Sequence, residues 1–248
     1  MRKTVGVMSG KGGVGKSTAA VNLAVHLSRK GWNTGLLDID IHGPSIPAML
    51  ALSSSRALQD SRGIHPLLYR SMKVMSIGFL LPDKDDALIW RGPLKMKAIE
   101  QMVNHTVWGD LDMLVIDAPP GTGDEALSVC QLINDIIGMI IVTTPQNISE
   151  IDVRKSITFC RALDIPVLGL LNNMASFACP SCGTSTELFP SGAAKNISND
   201  MQVPILGSLP FDPDIAGSSD QGIPFVEQNI PSANLMKDIM NTIEEKIV

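Results

Sequence analysis

The segment Gly10–Ser17, which reads GKGGVGKS, restricts the possible folds of this chain more than any other stretch. It fits the pattern GxxxxGK followed by Ser or Thr. It lies between an apolar run at 4–8, typical of a strand, and an amphipathic run at 17–30, typical of a helix. Glycines allow backbone N–H groups to surround a polyphosphate, and the helix dipole favours its negative charge. A glycine-rich turn without a ligand is the alternative, which the complete motif in this context disfavours.

The motif predicts a role for each of its polar side chains. Lys16 is expected to reach the β- and γ-phosphates of a nucleotide, and the Ser17 hydroxyl is expected to bind Mg²⁺. The predicted phosphate site comprises Gly10, Lys11, Gly12, Gly13, Val14, Gly15, Lys16, Ser17 and Thr18.

Short apolar runs alternate with amphipathic segments along the rest of the chain. The predicted strands are 4–8, 34–39, 73–77, 112–117, 138–144, 167–172 and 204–210. The predicted helices are 17–30, 93–105, 124–134, 149–163 and 232–247. This alternation predicts an α/β fold, a doubly wound and mostly parallel sheet with helices on both faces, in one domain over 1–248. Ligands of such sheets bind beyond the carboxyl ends of the strands.

The composition excludes several classes of protein. The net charge of −5 gives no electrostatic case for nucleic acid, and no apolar stretch approaches the length of a membrane span. The N-terminal apolar run is too short for a signal peptide. Four cysteines in 248 residues do not form a disulfide framework, so a reducing cytoplasm is expected.

Carboxylates follow two of the predicted strands. Asp38 and Asp40 occupy alternate positions at one strand end and are expected to face the Mg²⁺ side of the phosphate loop. Asp117 ends another apolar strand, the usual position of a carboxylate that holds Mg²⁺ through water. Gly121, just beyond it, is expected to donate its backbone N–H to the γ-phosphate. His42 is expected to be a structural loop residue.

Two thiols at CxxC spacing, Cys179 and Cys182, lie in a loop at about 174–190. A redox pair, a zinc site and an iron–sulfur site are the alternatives, and the last two need about four ligands. Pro180 and Gly183 favour a loop knuckle over the helix start typical of redox pairs. The other cysteines, Cys130 and Cys160, lie in predicted helices as core residues, and the four histidines show no metal-ligand spacing. One chain therefore supplies half of a metal site.

The second lysine of the loop, Lys11 in GKGGVGK, resembles the deviant Walker A motif of MinD, ParA, nitrogenase iron protein and Mrp/Nbp35 proteins. The resemblance implies ATP hydrolysis by a homodimer in which Lys11 reaches the partner's nucleotide; a solvated surface lysine is the alternative. It also implies that Asp40 orients or deprotonates the attacking water and that Asp38 assists near the metal. Asn173 is implied as the adenine reader, although Asn172 stands where glutamate is common. Separately, the segment 210–213 after the last predicted strand, which begins with Pro210, is expected to form a second wall of the base pocket.

Longer motifs are similar to one branch, the Mrp/Nbp35 family in its short ApbC- or Cfd1-type form. They are IWRGP at 89–93, DIDIHGPS at 38–45, DAPPGTGD at 117–124 and NNMASFACPSCG at 172–183. The resemblance implies a carrier or scaffold that holds a labile [4Fe–4S] cluster between two copies of Cys179 and Cys182. It implies transfer of that cluster to apoproteins. Zinc is the alternative occupant.

A MinD- or ParA-type positioning ATPase with a structural zinc is the alternative function. A MinD-like membrane helix would be basic, whereas the C-terminal segment 234–248 has three acidic and two basic residues. Its Leu235, Ile239 and Ile243 are therefore expected to pack on the core. The expected partners are a second copy of the chain and apoproteins, with no nucleic acid and no membrane.

Overall fold

The computed structural model describes residues 3–41, 43–80, 92–133, 135–179, 181–182, 184–189 and 192–248. The strands are β1 Lys3–Ser9, β2 Thr34–Asp38, β3 Leu58–Asp60, β4 Gly63–His65, β5 Leu67–Tyr69, β6 Met72–Ser76, β7 Met113–Asp117, β8 Ile136–Thr143, β9 Val167–Asn172, β10 Ser176–Ala178, β11 Ser185–Glu187 and β12 Ile205–Ser208. The helices are α1 Lys16–Arg29, α2 Ile46–Met49, α3 Gly92–His105, α4 Asp124–Leu132, α5 Asn147–Ala162, α6 Ala193–Met201, α7 Pro213–Asp220 and α8 Pro231–Ile247, with 3-10 turns at Ile77–Phe79 and Phe225–Glu227.

Eight of these strands form one sheet in the order β12-β9-β8-β1-β7-β2-β6-β5. Every neighbouring pair is parallel except β5 with β6. The predicted α/β fold with a doubly wound, mostly parallel sheet is confirmed. Two small antiparallel hairpins, β3–β4 and β10–β11, lie outside the main sheet.

Helices cover both faces of the sheet. In β7, Met113 and Val115 belong to the apolar cluster that includes α1 and α8, whereas Leu114 and Ile116 belong to the cluster with α3 and α4. Strand β8 adds a third cluster with α5 and α6, centred on the fully buried Ile157. Strands buried on both faces need nearly continuous apolar sequence, which is why these runs were readable as strands.

All seven predicted strands belong to the main sheet, as β1, β2, β6, β7, β8, β9 and β12, and all five predicted helices exist. Their bounds differ from the predicted ones by two residues at most. No predicted element corresponds to β5, to either hairpin or to the helices α2, α6 and α7. Strands of three residues and helices of four to nine are too short to show a clear periodicity.

Helix α8 packs on the core through part of its predicted apolar face. Ile239 and Ile243 are 4% and 1% exposed, but Leu235 is 39% exposed, so the expectation for Leu235 was wrong. The helix is further held by Glu244, whose Oε2 lies 3.2 Å from Nε2 of His26. Leu235 lies at the edge of the buried stripe of α8, which consists of Ala233, Met236, Ile239, Met240, Ile243 and Ile247.

Within the described part of the chain, no helix is both long and apolar enough to cross a bilayer. The predicted loop role of His42 and the motif residues Ile89, Trp90 and Arg91 lie outside the described residues.

Replacing Ile243 by Ala removes buried methyl groups and leaves a cavity against α1. We expect Ile243→Ala to lower the free energy of unfolding by about 2–4 kcal/mol, measured by urea denaturation. Leu235→Ala in the same helix is the matched control and should cost less than about 1 kcal/mol. Equal losses in the two variants would contradict this packing of α8.

Candidate functional site

The carboxyl ends of the parallel strands open into a cleft of about 710 Å³. Its walls come from the loop after β1, the segments after β2, β7, β9 and β12, and helices α2 and α7. Side chains and backbone of these segments line it: Ser9, Gly12, Gly13, Gly15, Lys16, Ser17, Thr18, Asp40, Gly43, Ser45, Ala48, Met49, Pro120, Asn173, Met174, Pro210, Phe211, Asp212, Ile215, Ala216, Ser219 and Asp220.

The loop between β1 and α1 has the backbone geometry that its glycines predict. Gly13 and Gly15 have φ of 77° and 91°, in the left-handed region that glycine adopts without strain. Gly15 immediately precedes the first helical residue, Lys16. Because the N–H groups of the first turn of α1 have no helical partners, the loop and helix together form a concave anion site.

Lys16 and Ser17 line the cleft and contact the buried carboxylate of Asp117 beneath it. Nζ of Lys16 donates to Oδ1 of Asp117 at 2.7 Å, and Oγ of Ser17 donates to Oδ2 at 2.5 Å. Asp117 is fully buried; burial raises the pKa of its carboxyl group, and the nearby ammonium group of Lys16 opposes that rise. A hydroxyl and a carboxylate oxygen at one point are ligands that Mg²⁺ prefers, so these residues fit a magnesium site.

The two aspartates after β2 have different surroundings. Asp38 is fully buried, accepts hydrogen bonds from Oγ of Ser76 at 2.8 Å and from the backbone N–H of Asp40 at 3.1 Å, and lies beside Asp117 in the sheet. Burial, and then the charge of Asp117, raises the pKa of Asp38 to about 8. Asp40 lines the cleft, with Oδ2 at 3.4 Å from Nζ of Lys16. The structure thus brings Asp40, and not Asp38, to the cleft surface.

Gly121 uses its backbone N–H within the protein. This group donates to the carbonyl of Ser9 at 2.7 Å, and the N–H of Ala118 donates to Val7 at 3.0 Å. The parallel pairing of β1 with β7 therefore continues beyond Asp117. This differs from the expectation that the Gly121 N–H would point at a γ-phosphate.

Asn173 contacts the phosphate loop from the other side of the cleft. It is buried, its Nδ2 donates to the carbonyl of Val14 at 2.9 Å, and a Cβ added at Gly15 would meet Nδ2 at 2.3 Å. Asn172 instead donates to Oγ of Ser208 at 3.3 Å, on the neighbouring strand. Of the two asparagines, only Asn173 lines the cleft, together with the predicted wall residue Pro210.

Lys11 extends toward helix α5. Its Nζ donates to Oε1 of Gln146 at 2.8 Å. The sequence analysis did not identify Gln146. Its position just after β8, at the edge where ligands bind in such sheets, was the available signal.

The two thiols lie at the end of the hairpin β10–β11. The backbone N–H of Cys179 donates to the carbonyl of Thr184 at 3.0 Å, and Sγ of Cys182 lies 3.2 Å from Oγ1 of Thr184. Hydrogen bonds with Thr184, and then with Cys179, lower the pKa of Cys182, whose side chain is exposed. A lowered pKa favours the thiolate form that binds metals. Pro180 and Gly183 lie outside the described residues.

The other two cysteines have the opposite environment. Burial raises the pKa of Cys130 to about 11 and that of Cys160 to about 12. Cys160 is fully buried with Sγ at 3.4 Å from Sδ of Met8, which confirms its core role, while Cys130 is partly buried beside it. Among the described residues, no three His, Cys, Asp or Glu side chains are placed to hold a metal ion. The Cys179–Cys182 pair therefore has no third such ligand within the described part of this chain.

Backbone hydrogen bonds connect the thiol hairpin to the cleft wall. The N–H of Ala175 donates to Leu209 at 2.8 Å, and the N–H of Phe211 donates to Ser176 at 2.7 Å. The rings of Phe177 and Phe211 pack with their centroids 6.3 Å apart. Phe211 also lines the cleft, so it contacts both regions. This connection was not predicted, because pairing of such short segments leaves no periodic signal.

The fold and the phosphate loop together define a P-loop NTPase. The sequence model of the family described as "ParA: NUBPL iron-transfer P-loop NTPase" matches residues 1–248. The chain belongs to this family of iron–sulfur cluster carrier and assembly proteins.

Curated relatives match nearly the whole chain. The iron–sulfur cluster carrier protein of Methanococcus maripaludis is 43% identical over 98% of this chain and 84% of its own length. The cytosolic Fe–S cluster assembly factor NUBP2 homolog of Trichoplax adhaerens is 41% identical over 98% of this chain and 94% of its own.

Solved structures agree with the fold. A nucleotide-binding protein from Archaeoglobus fulgidus, solved with ADP and with cobalt found, is 39% identical, with a TM-score of 0.79 over 94% of this chain and 90% of its own. The cell division ATPase MinD of Pyrococcus furiosus is 22% identical, with a TM-score of 0.74 over 99% of both chains, and shows the fold alone.

The position of Lys16 predicts that it dominates nucleotide affinity. We expect Lys16→Ala to weaken ATP and ADP binding by roughly 100-fold or more, measured by calorimetry, because charge-assisted contacts to phosphate are lost. Lys97→Ala, on the exposed face of α3, is the control and should bind normally. Circular dichroism must accompany the test, since Asp117 loses its buried cation. Normal affinity in folded Lys16→Ala protein would contradict this role.

Proposed function

We propose that this chain is an ATP-hydrolysing carrier or scaffold for a labile [4Fe–4S] cluster, which bridges a homodimer and passes to apoproteins. The observation that carries the proposal is a thiol pair on a hairpin that is hydrogen-bonded to the wall of the nucleotide cleft. The printed names of the curated relatives support the cargo, and the ADP-bound relative supports the nucleotide.

The number of thiols supports a shared site. A cluster of this type takes about four thiolates, and one chain offers Cys179 and Cys182. Two-fold symmetry brings the same surface of both subunits together, so two copies of the hairpin on the axis supply the missing pair. The exposed Cys182 thiol, with its lowered pKa, suits a cargo that is bound and then released.

Hydrolysis needs positioned charges and no covalent nucleophile. In the proposed mechanism Lys16 holds the β- and γ-phosphates. Ser17 and Asp117 would hold Mg²⁺, which would supply positive charge against the phosphate oxygens. Asp40 orients or deprotonates a water that attacks the γ-phosphorus as the bond to the ADP oxygen breaks. Asp38 assists indirectly, since its carboxyl accepts the backbone N–H of Asp40.

The adenine pocket and a lysine from the partner subunit complete the proposed site. Asn173 reads the adenine edge, and Pro210 forms the opposite wall; both line the cleft. Lys11 supplies positive charge to the nucleotide of the partner subunit. Because Phe211 contacts both cleft and hairpin, nucleotide state is expected to change the geometry in which the thiols meet.

The cluster site can be tested by anaerobic reconstitution with iron and sulfide, followed by iron analysis and Mössbauer spectroscopy. We expect about two irons per wild-type chain, which corresponds to one cluster per dimer, and none in Cys179→Ala/Cys182→Ala. Cys130→Ala is the matched control and should retain the cluster. Equal iron in wild type and the double variant would refute the carrier function. Stoichiometric zinc with no cluster would favour the positioning ATPase with a structural zinc.

A mixed dimer tests whether the site is shared. Differently tagged wild-type and Cys179→Ala/Cys182→Ala chains can be co-expressed and the heterodimer purified. A bridging cluster predicts almost no iron in the heterodimer, because two thiolates remain where about four are needed. Half of the wild-type iron content would indicate a separate site in each chain.

The trans role of Lys11 can be tested separately from the cluster. We expect Lys11→Ala to bind ATP with nearly normal affinity but to lose most of its turnover, because its charge acts on the partner's nucleotide during hydrolysis. Nucleotide affinity and steady-state phosphate release are the measurements. Unchanged turnover would indicate a solvated surface lysine.

A further inference from the structure

Lys11 is held by a residue of its own chain. Its Nζ donates to Oε1 of Gln146 at 2.8 Å in a partly buried contact. Gln146 directly precedes α5, and its side chain makes no capping hydrogen bond to that helix. The amide oxygen of Gln146 is thus directed to the lysine of the phosphate loop.

The packing of the loop on α5 explains why these two residues meet. A Cβ added at Gly10 would lie 2.5 Å from Cβ and 2.7 Å from the carbonyl carbon of Asp152, so the loop backbone rests directly on the helix. Oγ of Ser9 donates to the backbone carbonyl of Lys11 at 2.8 Å and so restrains the backbone of Lys11. The backbone of Lys11 and the start of α5 are therefore held close together. This proximity places Gln146 within hydrogen-bond distance of Lys11.

We propose that Gln146 is a positioning residue that retains Lys11 within its own subunit until the nucleotide of a second subunit competes for the ammonium group. This inference rests on the proposed trans role of Lys11. Within one subunit Nζ bonds to Gln146; in the nucleotide-bound dimer it leaves Gln146 and contacts phosphate. Gln146 thereby sets the fraction of subunits whose lysine is free to cross the interface.

The chemistry of an amide suits such a reversible contact. A neutral amide oxygen accepts one hydrogen bond but leaves the lysine charge uncompensated. A triphosphate carries several negative charges and forms stronger, charge-assisted bonds, so it displaces the amide. A carboxylate at position 146 would instead form an ion pair and compete with the phosphate.

The proposal predicts opposite effects for two substitutions at one position. Gln146→Leu removes the acceptor, and we expect ATP-dependent dimerisation at about five- to tenfold lower protein concentration, with faster turnover. Gln146→Glu strengthens retention and should shift dimerisation by a similar factor in the other direction. Sedimentation velocity with ATP or a non-hydrolysable analogue measures both shifts.

Two controls separate retention of Lys11 from general effects. Gln101→Leu and Gln101→Glu make the same chemical changes on the exposed face of α3 and should leave dimerisation unchanged. In a Lys11→Ala background the two Gln146 variants should become equivalent, because the retained group is gone. Shifts that persist without Lys11, or that have the same sign for Leu and Glu, would overturn the proposal.

Labelling of Lys11 in the nucleotide-free chain provides an independent readout. With an amine-reactive reagent and mass spectrometry, we expect Lys11 to react faster in Gln146→Leu and slower in Gln146→Glu. Equal rates would overturn the proposal, as would altered rates without altered dimerisation. If Lys11→Ala alone leaves dimerisation and turnover unchanged, the trans role and this inference fail together. If Lys11→Ala loses turnover but neither Gln146 variant changes dimerisation or labelling, this inference alone is rejected and the trans role of Lys11 stands.

Discussion

The buried contact between Lys16 and Asp117 depends on the parallel pairing of β1 with β7, and most of the site depends on that contact. Val7 and Asp117 are partners in this pairing, so the loop after β1 and the carboxylate after β7 emerge side by side. Asp117 is fully buried, and a buried carboxylate without a cation would be costly. The same contact places Ser17 against the second carboxylate oxygen and leaves Asp40 beside the lysine. Lys16, Ser17 and Asp117 thus follow one pair of strands, β1 and β7, and Asp40 joins them from the end of the neighbouring strand β2.

The sequence predicted the structure best where backbone geometry or burial restricts which residue types a position can have. The glycine loop, the fully apolar strands and the amphipathic helices have patterns several residues long, and they predicted the sheet and the helices correctly. The phosphate-loop motif predicted Lys16 at the cleft, the rule for strand ends predicted Asp117 close to it, and the family resemblance predicted Asn173 in its wall. Leu235 was expected on the buried face of α8, but that face includes Met236 and Met240, which the spacing of 235, 239 and 243 leaves out.

Other features depend on contacts between segments that are distant in sequence. Asp38 was expected to face the Mg²⁺ side together with Asp40, but its carboxyl is fully buried and accepts a hydrogen bond from Ser76 on another strand. The Gly121 N–H was assigned by motif, whereas the continued pairing of β1 and β7 directs it to Ser9. Gln146 belongs to no motif and becomes visible only through its contact with Lys11. A periodic pattern predicts a strand or a helix, but it does not predict which polar group of another element will hydrogen-bond to a given side chain or backbone group.

Residues 175–177 and 209–211 pair in parallel beyond the carboxyl ends of β9 and β12. Side chains along such a segment alternate between two faces, and a shift of one residue exchanges those faces. A single inserted residue between Asn173 and Ser176 would therefore turn Phe177 away from Phe211 and rotate the hairpin that carries both thiols. Insertions at the hairpin tip would leave that alternation intact. The number of residues between the nucleotide cleft and Cys179 therefore decides how the hairpin with the thiols is oriented against the cleft wall.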